Sequence, residues 1–257
     1  MAQTPLGIHY EVHGAGPPLV LLAGLTMDGS SWSGLLRQLT RHFLVLTHDP
    51  RGSGRSGAPL AGFSVEMMAE DALSVMDAQG VDKAHVLGFS LGGMAALDLA
   101  AKHAGRVGRL VLASTGMKMR PGRVMAMRLA QQLLAEGGSM SQSLGAMLPW
   151  LLGDRALSEG RLARAFALRR HPLNAEGFGA QCEALEAFDG HGLEASVTAQ
   201  ALCISGDEDI LLPPAENGLA EAFPDARHVL LAGCAHMSYM ERPEAFASAV
   251  LDFLLSR

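Results

Sequence analysis

The sequence contains few cysteines, and this scarcity excludes two kinds of structure. Only three occur in 257 residues, namely Cys182, Cys203 and Cys234, and no two of them form a C-x-x-C pair. An odd, widely spaced set cannot form a complete disulfide framework, and it lacks the paired spacing of a thiolate zinc site. We therefore expect three buried free thiols and no metal site.

Long apolar runs and basic segments are also missing. Residues 1–7 lack the basic start and apolar core of a signal peptide, and no apolar stretch approaches the roughly 20 residues of a membrane-spanning helix. The formal net charge is −6, and no run of lysine and arginine would attract nucleic acid or an anionic membrane. The sequence thus predicts a cytoplasmic globular protein that binds neither nucleic acid nor membrane.

The residues that are present suffice for a large core, because 49% are hydrophobic and only 18% are charged. We predict strands at residues 8–13, 19–23, 43–48, 83–87, 109–114, 201–205 and 227–231, and helices at about 31–42, 64–79, 91–101, 214–222 and 243–255. Strands that alternate with helices imply an α/β fold, with a mostly parallel sheet covered by helices on both faces.

The alternation stops in the middle of the chain. Residues 116–195 carry helical spacing, most clearly at 124–135 and 158–170, and no strand pattern. We therefore predict that residues 1–115 and 196–257 form one α/β core, interrupted by a helical cap at 116–195. The methionines of this segment are expected to pack in the core, to line a substrate pocket, or to do both.

Four cations in the same segment have no acid close to them in the sequence. They are Lys118, Arg120, Arg123 and Arg128. Two interpretations stay open at this point, since the four side chains could be solvated or could bind a carboxylate on a substrate. The segment as a whole does not favour a cationic pocket, because its nine lysines and arginines are nearly balanced by eight aspartates and glutamates.

A candidate nucleophile lies between the strand at 83–87 and the helix at 91–101, in the sequence GFSLG at residues 88–92. With 30 glycines in the chain, a G-x-S-x-G match alone is weak, but a strand-to-helix turn is the context that this motif requires. Glycines are needed on either side because a Cβ would collide with the strand or the helix. The bend lifts the Ser90 hydroxyl clear of both elements, beside backbone N–H groups at a helix N-terminus, where an oxyanion could form.

An acid and a histidine follow the nucleophile in chain order. Asp207, Glu208 and Asp209 come directly after the strand at 201–205, and His236 follows the strand at 227–231. Open α/β sheets place their sites at the carboxyl ends of strands, and the order Ser, acid, His is the one typical of this elbow. In such a set the histidine accepts the serine proton and a carboxylate orients the imidazole. The residues alone leave Asp207 and Asp209 both open as the acid.

Taken together, these motifs resemble those of the α/β-hydrolase superfamily, close to its small capped esterases and enol-lactonases. The resemblance spans nearly the whole chain and rests on Gly24, Trp32, the loop DPRGSGRS at 49–56, the elbow at 88–92, the segment 206–209 before a double proline, and His236. It implies Ser90 as nucleophile, Asp209 as acid, His236 as base, and oxyanion donors at the backbone N–H groups of Leu25 and Leu91. It also implies a small-molecule ester or lactone as substrate and no cofactor.

The chain departs from the family pattern at one point, since Ala23 stands where many members have histidine before the glycine. The oxyanion donor is a backbone group, so the hole can survive the change. Alternatives on the same residues are a cofactor-free perhydrolase, a carbon–carbon bond hydrolase, and a hydrolase-like binding protein with a vestigial triad. We further expect His171 to be solvated, and Asp49 and Arg51 to hold their loop as an ion pair.

Overall fold

An eight-stranded sheet forms the centre of the computed structural model, which describes residues 2–167, 171 and 174–256. The strands are β1 (Ala2–Gln3), β2 (His9–Gly14), β3 (Pro18–Leu22), β4 (Leu44–His48), β5 (Ala84–Phe89), β6 (Val107–Ala113), β7 (Gln200–Gly206) and β8 (Arg227–Leu231). Their order across the sheet is β1-β2-β4-β3-β5-β6-β7-β8. All neighbours pair in parallel from β4 to β8, whereas β2 is antiparallel to β1 and β4, so the predicted mostly parallel sheet is confirmed.

Helices cover this sheet. The described residues form α1 (Ser33–Leu39), α2 (Val65–Ala78), α3 (Leu91–Lys102), α4 (Pro121–Ala135), α5 (Met140–Leu151), α6 (Asp154–Glu159), α7 (Arg161–Ala167), α8 (Ala175–Ala187), α9 (Leu219–Ala222), α10 (Ser238–Glu241) and α11 (Pro243–Leu255). Ser64 caps the N-terminus of α2, because its side chain accepts the N–H of Met67, and Gly80 follows the end of the helix with φ +64°. No helix among the described ranges is both long and apolar enough to cross a membrane.

Three predicted helices are shorter than expected. Residues 29–32 form a 3₁₀ turn, so α1 begins only at Ser33. The predicted helix at 214–222 is reduced to α9, because Gly218 takes a left-handed conformation with φ +77° before it. Gly160 likewise adopts φ +63° and ends α6, which divides the helix predicted at 158–170. The last part of that helix, residues 168–170, lies outside the described residues.

The core lies on both faces of the central strands. Leu19, Leu21 and Leu22 of β3 are fully buried, as expected for a strand that helices cover on both sides. Helix α3 approaches the sheet closely because its first turn carries glycine. A Cβ at Gly92 would lie 2.2 Å from the carbonyl oxygen of Leu22, so no larger residue fits there without movement.

Strands β6 and β7 are neighbours in the sheet, but along the chain they are separated by five helices, α4 to α8. We call residues 116–195, which contain these helices, the helical insertion. It contacts the loops that follow the strands at their carboxyl ends. The carbonyl oxygen of Leu151 accepts the N–H of Met237, at 3.0 Å. The insertion therefore reaches the edge of the sheet where the candidate residues lie, and we retain the division at 116 and 195 as a proposal.

Candidate active site

Ser90 lies at the turn between β5 and α3, in a backbone conformation that the surrounding chain holds in place. Its φ is +54° and its ψ is −120°, a combination that an L-residue adopts at a cost of roughly 1 to 3 kcal/mol. Its N–H donates to the carbonyl of Ala113, and its carbonyl accepts from the hydroxyl of Thr115, at 2.9 and 2.7 Å. A Cβ at Gly88 would lie 2.2 Å from the carbonyl of Gly92, which explains the flanking glycines. The turn thus has the strained geometry of a nucleophile elbow.

The structure brings Ser90, His236 and Asp209 together in one chain of hydrogen bonds. His236 Nε2 lies 3.0 Å from Ser90 Oγ, and His236 Nδ1 lies 2.9 Å from Asp209 Oδ2. All three residues are buried. Since a carboxylate only accepts, Nδ1 donates to Asp209, and Nε2 is then free to accept the serine proton.

Asp207 and Asp209, the two candidates for the acid of the triad, differ in their surroundings. Asp209 Oδ1 accepts the N–H groups of Leu211 and Leu212, each at 2.9 Å, so its other oxygen points to His236. Asp207 is exposed and accepts the N–H of Gly233 at 2.7 Å. Of the two carboxylates, only that of Asp209 contacts the histidine.

The candidate oxyanion donors lie on two sides of Ser90. Leu91 is the first residue of α3, directly after Ser90. Leu25 belongs to the segment 24–28 after β3, which we call the oxyanion loop. The loop passes close to the elbow, because a Cβ at Gly24 would lie 2.9 Å from the Phe89 ring. Both N–H groups therefore remain our proposed donors.

Ser90 and His236 line a cavity with about 490 Å³ of empty space. Eleven of its fourteen lining residues are apolar, including five methionines and five leucines. The lining consists of Leu25, Thr26, Met27, Phe89, Ser90, Met119, Met127, Leu144, Met147, Leu151, Leu185, Leu211, His236 and Met237. Methionine side chains of the insertion thus line the site, whereas Met125 is 69% exposed and points elsewhere.

The four cations of the insertion all have acidic partners that lie far away in the sequence. Lys118 pairs with Asp189, Arg120 and Arg123 pair with Glu216, and Arg128 pairs with Glu186. None of the four is among the described residues that line the cavity. No acid is close to these cations in the sequence, but folding brings α8, the segment after it and the loop before α9 beside them.

Two expectations are wrong. Asp49 and Arg51 do not pair with each other: Asp49 binds Arg55, at 2.8 Å from Nε to Oδ2, and Arg51 forms two hydrogen bonds of 2.7 Å with Asp71 on α2. His171 is not solvated, since its Nδ1 lies 3.0 Å from Asp28 Oδ2 in the oxyanion loop and its side chain is 20% exposed.

The helical insertion is also tied to the loop that carries His236. The Glu241 carboxylate accepts the N–H of Ala235 at 3.0 Å and the N–H of Gly153 at 3.1 Å. Burial raises the pKa of this carboxyl above its usual range. A half-buried acid that accepts from two backbone groups fixes the position of the segment just before His236 against the residues that follow α5.

One buried polar residue, Gln181 on α8, was not indicated by the sequence analysis. It is 1% exposed and lies on the same helix face as Phe178 and Leu185, where an apolar residue would be expected. A lone amide on an apolar stripe is the signal that could have drawn attention to it.

Within the described ranges, no group of three or more His, Cys, Asp or Glu side chains is arranged to hold a metal ion.

Known proteins resemble this chain in both sequence and structure. A family model described as the alpha/beta hydrolase fold matches residues 17–243. The chain belongs to that family. Among curated proteins, the hydrolase is 32% identical over 252 residues to one from Pseudomonas savastanoi pv. phaseolicola, provisionally named carbamate hydrolase RutD, with 96% of this chain and 97% of that protein covered.

Solved structures with the same fold include two hydrolases of different activity. The crystal structure of the enol-lactonase from Burkholderia xenovorans LB400 matches with a TM-score of 0.84 and 31% identity, covering 97% of this hydrolase and 96% of that chain. A thermophilic esterase from Thermogutta terrifontis, solved with malate bound, matches with a TM-score of 0.86 and 25% identity, covering 96% and 92%. The fold expected from the resemblance is therefore confirmed.

Proposed function

We propose that this hydrolase cleaves a small, neutral, largely apolar carboxylic ester or lactone through an acyl-enzyme on Ser90. The observation that supports the proposal is the unbroken hydrogen-bond chain from Asp209 through His236 to Ser90 at the wall of an apolar cavity. A vestigial triad in a binding protein would have no need to retain all three members in contact.

The reaction follows from the positions of the donors and acceptors. His236 Nε2 accepts the proton of Ser90 as Oγ attacks the carbonyl carbon, and Asp209 stabilises the imidazolium that forms. The carbonyl oxygen becomes an oxyanion, which the N–H groups of Leu25 and Leu91 stabilise. His236 then gives its proton to the leaving alkoxide. Water, deprotonated by the same imidazole, then attacks the acyl carbon. The bond from that carbon to Oγ breaks, His236 returns its proton to Ser90 Oγ, and the acid is released.

The cavity favours an uncharged acyl group. Its polar side chains are those of Thr26, Ser90 and His236, and two of these belong to the triad. No lysine or arginine is among the described residues that line the cavity, so a carboxylate bound there would lack a permanent countercharge. The relatives' name suggests a carbamate, but its amino group would need acceptors that an apolar lining does not offer. We therefore rank an ester or lactone above a carbamate.

Labelling with a fluorophosphonate tests the chemistry. We expect mass spectrometry to find the adduct on Ser90, and Ser90→Ala to abolish both labelling and ester turnover, with kcat reduced by about 10⁴ or more. Ser74→Ala is the matched control, because Ser74 lies on α2 and bonds to Thr4. Turnover near the wild-type rate in Ser90→Ala would contradict the mechanism.

A panel of p-nitrophenyl esters tests the substrate class. We expect kcat/KM to be higher for the acetate and butyrate than for the palmitate, because the cavity is small. The hemisuccinate, which is as long as the butyrate but ends in a carboxylate, should react at least about tenfold more slowly than the butyrate, since transferring a charge into an apolar site is unfavourable. Preference for palmitate or hemisuccinate would overturn the proposed substrate class and leave the triad intact.

A further inference from the structure

Gln181 connects the helical insertion to the oxyanion loop and to a third segment. Its amide oxygen accepts the N–H of Thr26 at 2.7 Å. Its amide nitrogen donates to the carbonyl of Arg51 at 2.9 Å and to the hydroxyl of Ser53 at 3.1 Å. The amide orientation follows from the partners, because a backbone N–H can only donate and a carbonyl can only accept. Both amide hydrogens and the amide oxygen are thus engaged.

The residue that Gln181 holds is itself in an unusual conformation. Thr26 has φ +62°, which is rare for a β-branched residue and is unfavourable by roughly 1 to 3 kcal/mol. Such a conformation persists only where the surroundings stabilise it. The hydrogen bond from the Thr26 N–H fixes the peptide plane between Leu25 and Thr26, and this plane sets the direction of the adjoining peptide, which carries the Leu25 N–H.

We propose that Gln181 is a positioning residue for the oxyanion hole: through Thr26 it holds the oxyanion loop so that the Leu25 N–H faces the developing oxyanion. This inference rests on the proposed function, since it needs an acyl transfer at Ser90. Gln181 does not line the cavity in the described structure and acts through the backbone of the loop. An oxyanion exists only near the transition state, so Gln181 contributes to kcat rather than to the binding of the ester.

The test replaces the amide without changing its size. Gln181→Met should lower kcat by about 10- to 100-fold, while KM changes less than about threefold. The expected fall in kcat is no larger than the one caused by removing a whole oxyanion donor, because the Leu25 N–H is displaced and not lost. Rates are normalised to the fraction of enzyme that a fluorophosphonate titrates. An alkyl boronic acid, whose adduct with Ser90 places an oxygen in the oxyanion hole, should bind more weakly by a factor similar to the loss in kcat.

The matched control is Gln131→Met. Gln131 lies on α4 and donates to the carbonyl of Ala175, so it contacts α8 but not the oxyanion loop. We expect its kcat and its boronic acid affinity to stay within about twofold of wild type. Gln181→Glu is the conservative variant, because a buried protonated carboxyl can still accept from Thr26 and donate to Arg51. Its kcat should lie between those of Gln181→Met and wild type.

The outcomes separate this inference from the proposed function. If Ser90→Ala is inactive and Gln181→Met keeps kcat within about twofold of wild type, the positioning role is overturned and the triad stands. A rise in KM without a fall in kcat, or an unchanged boronic acid affinity, also overturns it. Should Gln181→Met not fold, Gln181→Asn decides, because its amide is one methylene shorter and cannot reach both Thr26 and Arg51. A kcat at least about threefold below wild type with KM unchanged supports the role, and a wild-type kcat contradicts it.

Discussion

Asp207 and Asp209 show how the same side chain acquires different chemistry two positions apart. Both lie in the loop after β7, but the backbone of Leu211 and Leu212 turns back over Asp209 and donates two N–H groups to one of its oxygens. That arrangement buries the carboxylate and leaves its second oxygen for His236. Asp207 instead faces solvent and holds Gly233. The difference lies in the backbone, not in the residue type.

Substituting each aspartate by asparagine tests this assignment. Asp209→Asn should reduce kcat by about 10³- to 10⁴-fold, because an amide nitrogen facing His236 Nδ1 favours the wrong imidazole tautomer. Asp207→Asn is the matched control and should retain kcat within a few-fold. The measurement is kcat on p-nitrophenyl butyrate, with folding checked by circular dichroism. If the two variants rank the other way, the acid has been assigned to the wrong carboxylate.

At this scale the sequence was informative wherever a residue belongs to a local motif. Ser90 could be predicted because its elbow is encoded within five residues, and His236 because it follows a strand. Asp209 could be separated from Asp207 only by the family spacing. Gln181 could have been noticed as a lone amide on an apolar helix face, but its partner could not be predicted, because Thr26 is 155 residues away and only the fold brings them together.

Among the elements, the loop 49–56 after β4 depends on a buried charge. Asp49 is fully buried and accepts hydrogen bonds from the N–H of Gly29, the N–H of Arg55 and the Arg55 guanidinium. Burial alone would raise the pKa of the Asp49 carboxyl, but these hydrogen bonds outweigh burial and hold the pKa below its usual value. The loop is therefore stabilised by an ion pair whose strength depends on pH.

Arg55→Met should destabilise the protein by about 3 kcal/mol at pH 7, since it leaves a buried carboxylate without its countercharge. A carboxyl with a lowered folded pKa stabilises the fold above its unfolded pKa of about 3.9, and this contribution is lost as the pH falls through the folded value. The difference in the free energy of unfolding between wild type and Arg55→Met should therefore shrink below about pH 4. Urea unfolding curves recorded between pH 3 and pH 7 measure this difference.

The control for this substitution is Arg37→Met, because Arg37 is exposed on α1. Its free energy of unfolding should stay within about 0.5 kcal/mol of wild type. A difference for Arg55→Met that is the same at pH 3 and pH 7 would show that lost packing, rather than the charge pair, causes the destabilisation.

Elements with a strong period were predictable, and elements ended by backbone conformation were not. Helix α11 has the predicted bounds, because an apolar stripe runs from Pro243 to Leu255 without interruption. The division at Gly160 and the short α9 arise from left-handed glycines, whose φ the sequence does not fix. Likewise, the acidic partners of Arg123 and Arg128 could not be foreseen, because they come from separate elements.

For the molecule as a whole, the sheet and its helices enclose all three cysteines. Cys182, Cys203 and Cys234 are buried, and burial raises the pKa of each thiol to about 12. At pH 8 the reactive thiolate is therefore almost absent from the folded protein.

Ellman's reagent should consequently find no thiol in the native protein at pH 8 and three per chain after unfolding in guanidinium chloride. The time course of absorbance at a fixed enzyme concentration gives the number of reactive thiols per chain in the native and in the unfolded protein. The unfolded sample serves as the internal control. Rapid reaction of one thiol in the native state would mean that the segment around that cysteine opens far more readily than its burial implies.

The hydrogen bonds between the insertion and the loops that carry Leu25 and His236 also bear on how this hydrolase can be altered. Gln181 anchors the oxyanion loop, and the end of α5 anchors the loop of His236 through Met237 and Glu241. A chimera that received an insertion without a glutamine at this position would lose the Gln181 anchor along with the old pocket wall, so selectivity and turnover would change together. Engineering of substrate range is better confined to single wall residues such as Met127 and Leu144, which carry no anchor in the described contacts.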